Sequence, residues 1–214
     1  MKRIIFVLAV ALSCQVAVAQ NSEKFTNAMK SAIAAIDTSF ANPASLVSLS
    51  NSFERIALAE KKQWLPFYYA ALCQINYGFM QKDPSGLDAI ADKAEALVNK
   101  ADSLSPNNSE VSTLRAMIAT ERMIVNPMQR YMEYGPAIDK YIEKAKTEDP
   151  NNPRPHWFKG ENLKNTPEQF GGGCAAASVH LKNAKEKFAT FKPASDLHPT
   201  WGVQRTDVLL SECK

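Results

Sequence analysis

Apolar side chains recur every three or four positions along most of the chain, the spacing that gathers them on one face of an α-helix. Only eight of the 214 residues are glycine, and the sequence lacks alternating runs of β-branched residues, the pattern of strands. The pattern therefore predicts an all-α fold. The predicted helices run from about Ser22 to Ile36, Asn42-Pro43 to Leu58, Gln63 to Met80, the Asp83-Pro84 turn to Leu104, Ser109 to Val125, Pro136 to Thr147, Pro153 to Leu163, Ala175 to Phe191, and Pro199 to Cys213.

The predicted helix from Gln63 to Met80 carries apolar side chains around much of its circumference, which is typical of a central helix. Aromatic residues at helical spacing usually fill a core. Two of its tyrosines, Tyr69 and Tyr77, are predicted to keep their hydroxyl groups at the surface, where they would offer an interaction surface.

One stretch of the chain recurs 44 residues later. The repeated residues are Ala94, Val98, Ala101, Pro106, Asn107 and Asn108, which return as Ile138, Ile142, Ala145, Pro150, Asn151 and Asn152. In each copy an alanine at helical spacing precedes a Pro-Asn-Asn turn, which ends one helix and caps the next. A repeat of this size predicts stacked helical hairpins that bury their apolar faces against their neighbours.

These residues resemble a tetratricopeptide repeat, in which small residues let two helices approach closely and a proline ends each unit. Ten residues beyond each proline lies another small residue, Ala116 or Gly160, where the family has the small residue of its first helix. The resemblance covers Trp64 to Phe191 and implies a TPR-like helical-hairpin solenoid. The resemblance also implies structural roles for seven residues of the repeat: Ala94, Ala101, Pro106, Ala116, Ala145, Pro150 and Gly160.

The chain departs from this family in its period, which is 44 in this sequence and about 34 in the family. The added residues are assigned to a connector from Asn126 to Gly135, which contains a candidate short helical extension at Tyr131 to Tyr134. No proline follows Ala184 and Phe188 at the family spacing, so the last unit is degenerate or a cap. HEAT-type repeats have periods near this size, and a HEAT-like α-solenoid is the alternative fold.

Residues 1–19 have the pattern of a secretory signal peptide: Lys2 and Arg3 precede an apolar run, and Ala17-Val18-Ala19 is a cleavage site. The apolar run is too short to span a membrane, which needs about 20 residues. Residues 20–214 are predicted to form a single exported domain, periplasmic or envelope-associated, without a transmembrane segment after cleavage. A lipoprotein anchored at Cys14 is the alternative.

The balance of charged residues argues against nucleic acid as a partner. Residues 20–214 keep 23 of the 25 basic side chains against 22 acidic ones. This balance, without a clustered basic face, gives no electrostatic case for nucleic acid.

Three cysteines remain after cleavage, so at least one is unpaired. Cys73 lies in an apolar helix and is predicted to be a buried small hydrophobe. Cys174 and Cys213 are candidates for a disulfide, which requires their helices to be neighbours.

Candidate catalytic groups are few. Gly171 to Gly173 precede Cys174 at a predicted helix start, where backbone N–H groups and the helix dipole favour an anion or a thiolate. The Lys-Ser/Thr pair of a phosphate loop is missing, and a flexible loop with close-packing glycines is favoured. His156, His180 and His198 have no partner at metal-ligand spacing. We predict no catalytic, cofactor or metal site.

Two short motifs match glycosylation patterns. Asp102-Ser103-Leu104 resembles a bacterial O-glycosylation acceptor, and Asn107-Asn108-Ser109 is an N-glycosylation sequon. Three-residue patterns occur by chance, so neither motif decides a function.

The sequence predicts a non-catalytic protein-protein interaction or assembly module of the bacterial envelope. A protein partner would dock on a concave face lined by the first helices of the hairpins. The alternative is a small-molecule or glycan-binding accessory protein of a transport system, with its pocket between helices. A thiol enzyme centred on Cys174 is a third hypothesis.

Overall fold

Nine helices follow one another in the part of the chain that the computed structural model describes, residues 23–213. They are α1 (residues 23–39), α2 (Pro43–Ala59), α3 (Leu65–Phe79), α4 (Leu87–Leu104), α5 (Ser109–Val125), α6 (Pro127–Glu148), α7 (Arg154–Asn165), α8 (Gly173–Thr190) and α9 (Val203–Glu212). Single 3₁₀ turns, Pro84–Gly86 and Glu168–Phe170, precede α4 and α8. Residues 23–213 contain no strand, and the all-α prediction is confirmed.

The repeated Pro-Asn-Asn turn works through its asparagines. Asn107 has φ of 56°, in the left-handed region that asparagine tolerates better than most residues. The Asn108 side chain then accepts a hydrogen bond from the Glu110 N–H at 2.9 Å and caps α5. In the second copy, Asn152 Oδ1 accepts from the Arg154 N–H at 2.9 Å. Each turn thus satisfies backbone donors that the next helix leaves unpaired.

Consecutive helices pack against each other from α2 to α9, and α5 also contacts α3 and α7. This order places α3, α5 and α7 side by side as an inner layer. Most of the residues of α3 and α5 are buried, as the apolar circumference of α3 predicts. The arrangement is a stack of helical hairpins, and it is consistent with a TPR-like repeat.

The small residues of the repeat lie where helices meet. Ala94, Ala101, Ala116 and Ala145 are fully buried. A Cβ atom at Gly160 would lie 2.6 Å from Leu181 Cγ, so only glycine lets α7 and α8 approach this closely. The two repeat prolines, Pro106 and Pro150, are exposed in the turns. Burial of these residues agrees with structural roles, and their assignment to TPR positions stays a prediction.

The predicted connector from Asn126 to Gly135 is wrong, because Asn126 caps the 22-residue helix α6 and the residues after it belong to that helix. The helical extension predicted at Tyr131 to Tyr134 is confirmed as part of α6. Pro127 occupies the first turn, where its missing N–H costs nothing, and Asn126 is the N-cap. Pro136 lies inside the helix, a position that usually interrupts one. The added residues therefore lengthen a helix and do not form a loop.

Other predicted helix boundaries differ from the observed ones by smaller amounts. Helix α3 begins at Leu65, and α8 begins at Gly173, so that Cys174 lies inside its first turn. Leu58, the predicted end of the second helix, is 67% exposed, and α2 continues to Ala59. The signal peptide, Cys14 and the predicted helix start at Ser22 lie outside the described residues. Across residues 23–213, no helix combines the length and apolarity needed to cross a membrane.

Candidate ligand-binding site

The chain covers part of its own inner layer. Residues 191–202, which we call the return segment, connect α8 to α9 and contact both α3 and α7. Tyr69 Oη donates to the Leu197 carbonyl at 2.9 Å, and Trp201 Nε1 donates to Tyr68 Oη at 2.9 Å. Arg154 Nη2 donates to the Pro199 carbonyl at 2.6 Å. The prediction that a partner docks on the first helices is therefore wrong for this part of the face.

A buried ion pair anchors the return segment. The Arg154 side chain is 0% exposed, and its Nε donates to Glu110 Oε2 at 2.8 Å. Asn152 Nδ2 and Tyr68 Oη also donate to the Glu110 carboxylate, at 2.9 Å and 3.1 Å. Burial raises the pKa of Glu110, and the Arg154 charge opposes that shift. Because all these groups are satisfied by one another, the network is structural and offers no open site.

Tyr69 does not form the surface predicted for it. It is 2% exposed and stacks on Phe53 with 5.3 Å between ring centroids. Burial raises the pKa of its hydroxyl group. Tyr77 is half-buried and packs against the core. Sequence periodicity places Tyr69 on α3, but only the distant return segment supplies the partner that lets its hydroxyl be buried.

Cys174 and Cys213 are joined by a disulfide that links the start of α8 to the end of α9. This pairing removes Cys174 as a nucleophile, so the thiol-enzyme hypothesis is wrong for the oxidised protein. Cys73 is buried as predicted, and burial raises the pKa of its thiol to about 12. A Cβ at Gly172 would overlap the Thr166 carbonyl, so the preceding glycines serve close packing.

The three histidines do not converge on one site. His156 lies on α7 and His180 on α8, while His198 lies in the return segment beside Trp64. Burial, together with Lys146 and Lys187, lowers the pKa of His156 to about 4. Within residues 23–213, no three side chains of His, Cys, Asp or Glu are grouped to hold a metal ion.

A shallow groove of about 530 Å³ lies between α1 and α2. We call it the α1–α2 groove, and its lining residues are Ala28, Ser31, Ala32, Ala35, Leu49, Ser52, Arg55, Ile56 and Ala59. Most of this lining is apolar. Arg55 is the charged residue of the lining, and its Nη2 donates to Ser52 Oγ at 2.9 Å. No carboxylate in residues 23–213 forms an ion pair with Arg55.

A second groove, of about 540 Å³, lies between α8 and α9. This α8–α9 groove is lined by Ser178, Lys182, Lys185, Asp207, Leu210, Ser211 and Cys213. Its lining is mainly polar, and Lys185 Nζ lies 2.6 Å from Asp207 Oδ1. Cys213, which is bonded to Cys174, also belongs to this lining.

The first turns of α6 carry an exposed apolar patch, defined by Met128, Tyr131 and Met132. Their exposed fractions are 86%, 52% and 82%. The residues are three and four positions apart and therefore share one helix face. Sequence reasoning missed this patch because it treated these residues as a connector.

Sequence reasoning also missed the α1–α2 groove. Ala28, Ala32 and Ala35 follow helical spacing, which was a usable signal for a shared face. Small residues at that spacing usually mark close helix packing, so the pattern alone does not indicate an open surface.

These features define a class: an all-α protein of stacked helical hairpins, with a disulfide at its C-terminal end and open grooves at both ends. No protein-family model matches the chain, and no curated protein matches it. A solved structure does match, the HusA haemophore from Porphyromonas gingivalis, with 33% identity and a TM-score of 0.79. The match covers 89% of this chain and 92% of that chain. The chain belongs to the same family as HusA.

Proposed function

We propose that this protein is an exported, non-catalytic binding protein whose ligand is haem. The observation that carries the proposal is the 33% identity to a haemophore over 89% of the chain. Haem would be the cargo of such a protein and not a resident cofactor. This proposal develops the small-molecule alternative from the sequence and replaces protein docking as the first function.

The architecture of the molecule supports a role as a ligand carrier. The inner layer is closed by the return segment and the buried Arg154–Glu110 pair, so the fold is completed before any ligand arrives. Both grooves are open and lie on the surface. A preformed surface loses little conformational entropy on binding, which favours capture of a rigid ligand.

Titration of mature protein, residues 20–214, with haem tests this function. We expect a saturable change in the haem absorbance spectrum, with a dissociation constant in the micromolar range or tighter. Heat-unfolded protein at the same concentration controls for nonspecific haem adsorption. Absence of saturable binding to the folded protein, with the same spectrum as the unfolded control, would contradict the proposal.

A protein-docking role is the second candidate, favoured by the exposed patch on α6. Exposed methionine and aromatic side chains are common at interfaces between proteins. Exchange of Met128 and Met132 for glutamine should reduce crosslinking to a specific envelope protein and leave haem binding unchanged. Crosslinking that is insensitive to both substitutions would remove this patch as a docking surface.

The proposed location is outside the cytoplasm, periplasmic or envelope-associated. The signal peptide pattern at residues 1–19 and the disulfide both support export. Intact-mass analysis of protein from its source cells distinguishes cleavage after Ala19 from a lipid-modified Cys14. A mature chain that begins at Met1 would contradict export through a cleaved signal.

A further inference from the structure

We infer that the α1–α2 groove is the surface that receives the flat ring of haem, with Arg55 binding a carboxylate of the ligand. This inference rests on the proposed function and names the site at which haem binds. The ligand class is a broad, planar, apolar ring system that carries acidic groups at one edge. The inference follows from the position, shape and charge of the groove.

The groove lies at the edge of the face that α2 turns towards the core. Leu46, Phe53 and Ala57 are buried in the core. Leu49 and Ile56 are offset from those positions around the helix, so they are only partly buried against the core and also line the groove. The hairpin of α1 and α2 begins the described stack, and terminal repeats normally carry a polar outer face. An apolar groove at this end is therefore a departure from what solubility alone requires.

The side chains of α1 that line the groove are small. Ala28, Ala32 and Ala35 project a single methyl group each. A rigid ring can approach the α1 backbone closely over such a surface, while Leu49 and Ile56 supply apolar contact from α2. Ligand sites typically enclose about 300–1,000 Å³, and the volume of this groove lies within that range. Its shallowness suits a flat ligand better than a globular one.

Arg55 supplies a positive charge to the otherwise neutral lining of the groove. A guanidinium group binds a carboxylate through two parallel hydrogen bonds. Arg55 lies on the rim, its side chain bonds only to the neutral Ser52 hydroxyl among the described residues, and it keeps donors for another acceptor. Haem carries two propionate groups on one edge of an apolar ring. Apolar contact across the floor and a cation at the rim therefore match the two parts of haem.

The α8–α9 groove lacks this combination despite its similar volume. Its Lys185 already pairs with Asp207 at 2.6 Å. Asp207 also adds a negative charge that opposes a ligand carboxylate. This groove therefore serves as an internal control for the inference, because it offers matched substitutions at a site of nearly equal size.

Three charge substitutions test the assignment in haem titrations of residues 20–214. Arg55→Glu reverses the rim charge, and Ala28→Glu places a carboxylate at an exposed position of the floor. Each should weaken haem binding about tenfold or more, through charge repulsion and loss of apolar contact. Lys182→Glu makes the same charge reversal as Arg55→Glu in the α8–α9 groove. It should leave the affinity unchanged within about twofold. Far-ultraviolet circular dichroism and thermal melting verify that each variant is folded.

The outcomes separate this inference from the proposed function. If wild-type protein binds haem and both groove variants bind equally well, the site lies elsewhere and the proposed function stands. If wild-type protein does not bind haem, the proposed function fails and the assignment falls with it. If the variants change sedimentation by abolishing a dimer but leave haem affinity intact, the groove is an interface between two copies, and the assignment is overturned.

Discussion

The two ends of the helix stack carry grooves of nearly the same size and of opposite character. The α1–α2 groove measures about 530 Å³ and the α8–α9 groove about 540 Å³. The first has an apolar floor and a cation that pairs with no carboxylate of residues 23–213, whereas the second has lysines, serines and an internal ion pair. Volume alone therefore does not identify a binding site, and the chemistry of the lining does.

The two ends are also held in place differently. At the C-terminal end, α9 is fixed by the disulfide and by ion pairs from Arg205 to Glu161 and from Lys164 to Glu212. At the N-terminal end, α1 buries Met29 and Ile36, and an exposed ion pair joins Lys30 to Asp196. The C-terminal hairpin is thus secured as a cap, and the N-terminal hairpin is left with an apolar face.

The largest expected effect is at the anchor of the return segment. Arg154→Met leaves the Glu110 carboxylate buried without its cation and should cost about 3–5 kcal/mol of unfolding free energy. Chemical denaturation measures this loss. Lys185→Met, which breaks the exposed pair with Asp207, is the control and should cost less than about 1 kcal/mol. Equal costs for the two variants would contradict the special role of the buried pair.

The disulfide should have the next largest effect. Its cysteines are 39 residues apart, and removing a cross-link over a loop of that size typically costs about 2–4 kcal/mol. The Cys174→Ser, Cys213→Ser double variant should therefore have a lower denaturation midpoint. Its haem affinity should match wild type, because the assigned site is at the other end. A loss of haem binding in a folded double variant would place the ligand nearer to α9.

A substitution in the middle of the helix stack provides a reference for the stability effects of substitutions at its two ends. Ala145 is fully buried in α6, and Ala145→Leu should overpack its contacts at a cost of about 1–3 kcal/mol. Lys140→Leu, at an exposed position of the same helix, should change stability by less than about 0.5 kcal/mol. A thermal melting temperature unaffected by Ala145→Leu would contradict the repeat register.

The last expected effect appears as a dependence of stability on pH. Glu121 is buried beside Gly78, neither carboxyl oxygen has a hydrogen-bond partner within residues 23–213, and burial raises its pKa to about 9. The unfolded value is about 4.5, so the unfolded chain loses a proton that the folded protein keeps. The contribution of Glu121 to the free energy of unfolding is therefore largest below pH 4.5. It falls as the pH rises towards 9, by on the order of 1 kcal/mol per pH unit.

Glu121→Gln removes this dependence while conserving shape. Denaturation of both proteins between about pH 5 and pH 8 should show a difference that grows with pH in favour of the variant. Parallel pH profiles would show that Glu121 is ionised in the folded protein. Neither groove should respond, since Glu121 lies on α5.

Local sequence signals predicted the helices well where caps and periodicity agree. Helix α5 has the predicted bounds, because Asn108 caps its start and the Asn126-Pro127 pair marks its end. The same local rules failed at α6, where Pro127 and Pro136 resemble loop signals. Contacts of Arg130 with Asp88 on α4 help to hold that helix, and sequence order does not reveal such contacts.

The candidate site was less predictable than the fold, for a physical reason. The buried state of Tyr69 depends on Leu197, which is 128 positions away along the chain. The α1–α2 groove depends on which residues at the edge of the core stay partly exposed where the two helices meet. Periodicity identifies the core face of a helix, but it does not tell which other face stays open at the end of a stack.

Mapping of backbone amide chemical shifts during a haem titration tests the central claim most directly, because it reports both ends of the molecule in one experiment. We expect saturable changes concentrated in residues 28–35 and 49–59, with residues 178–185 and 207–213 nearly unchanged. Changes concentrated in the second set, with the α1–α2 groove silent, would contradict the claim.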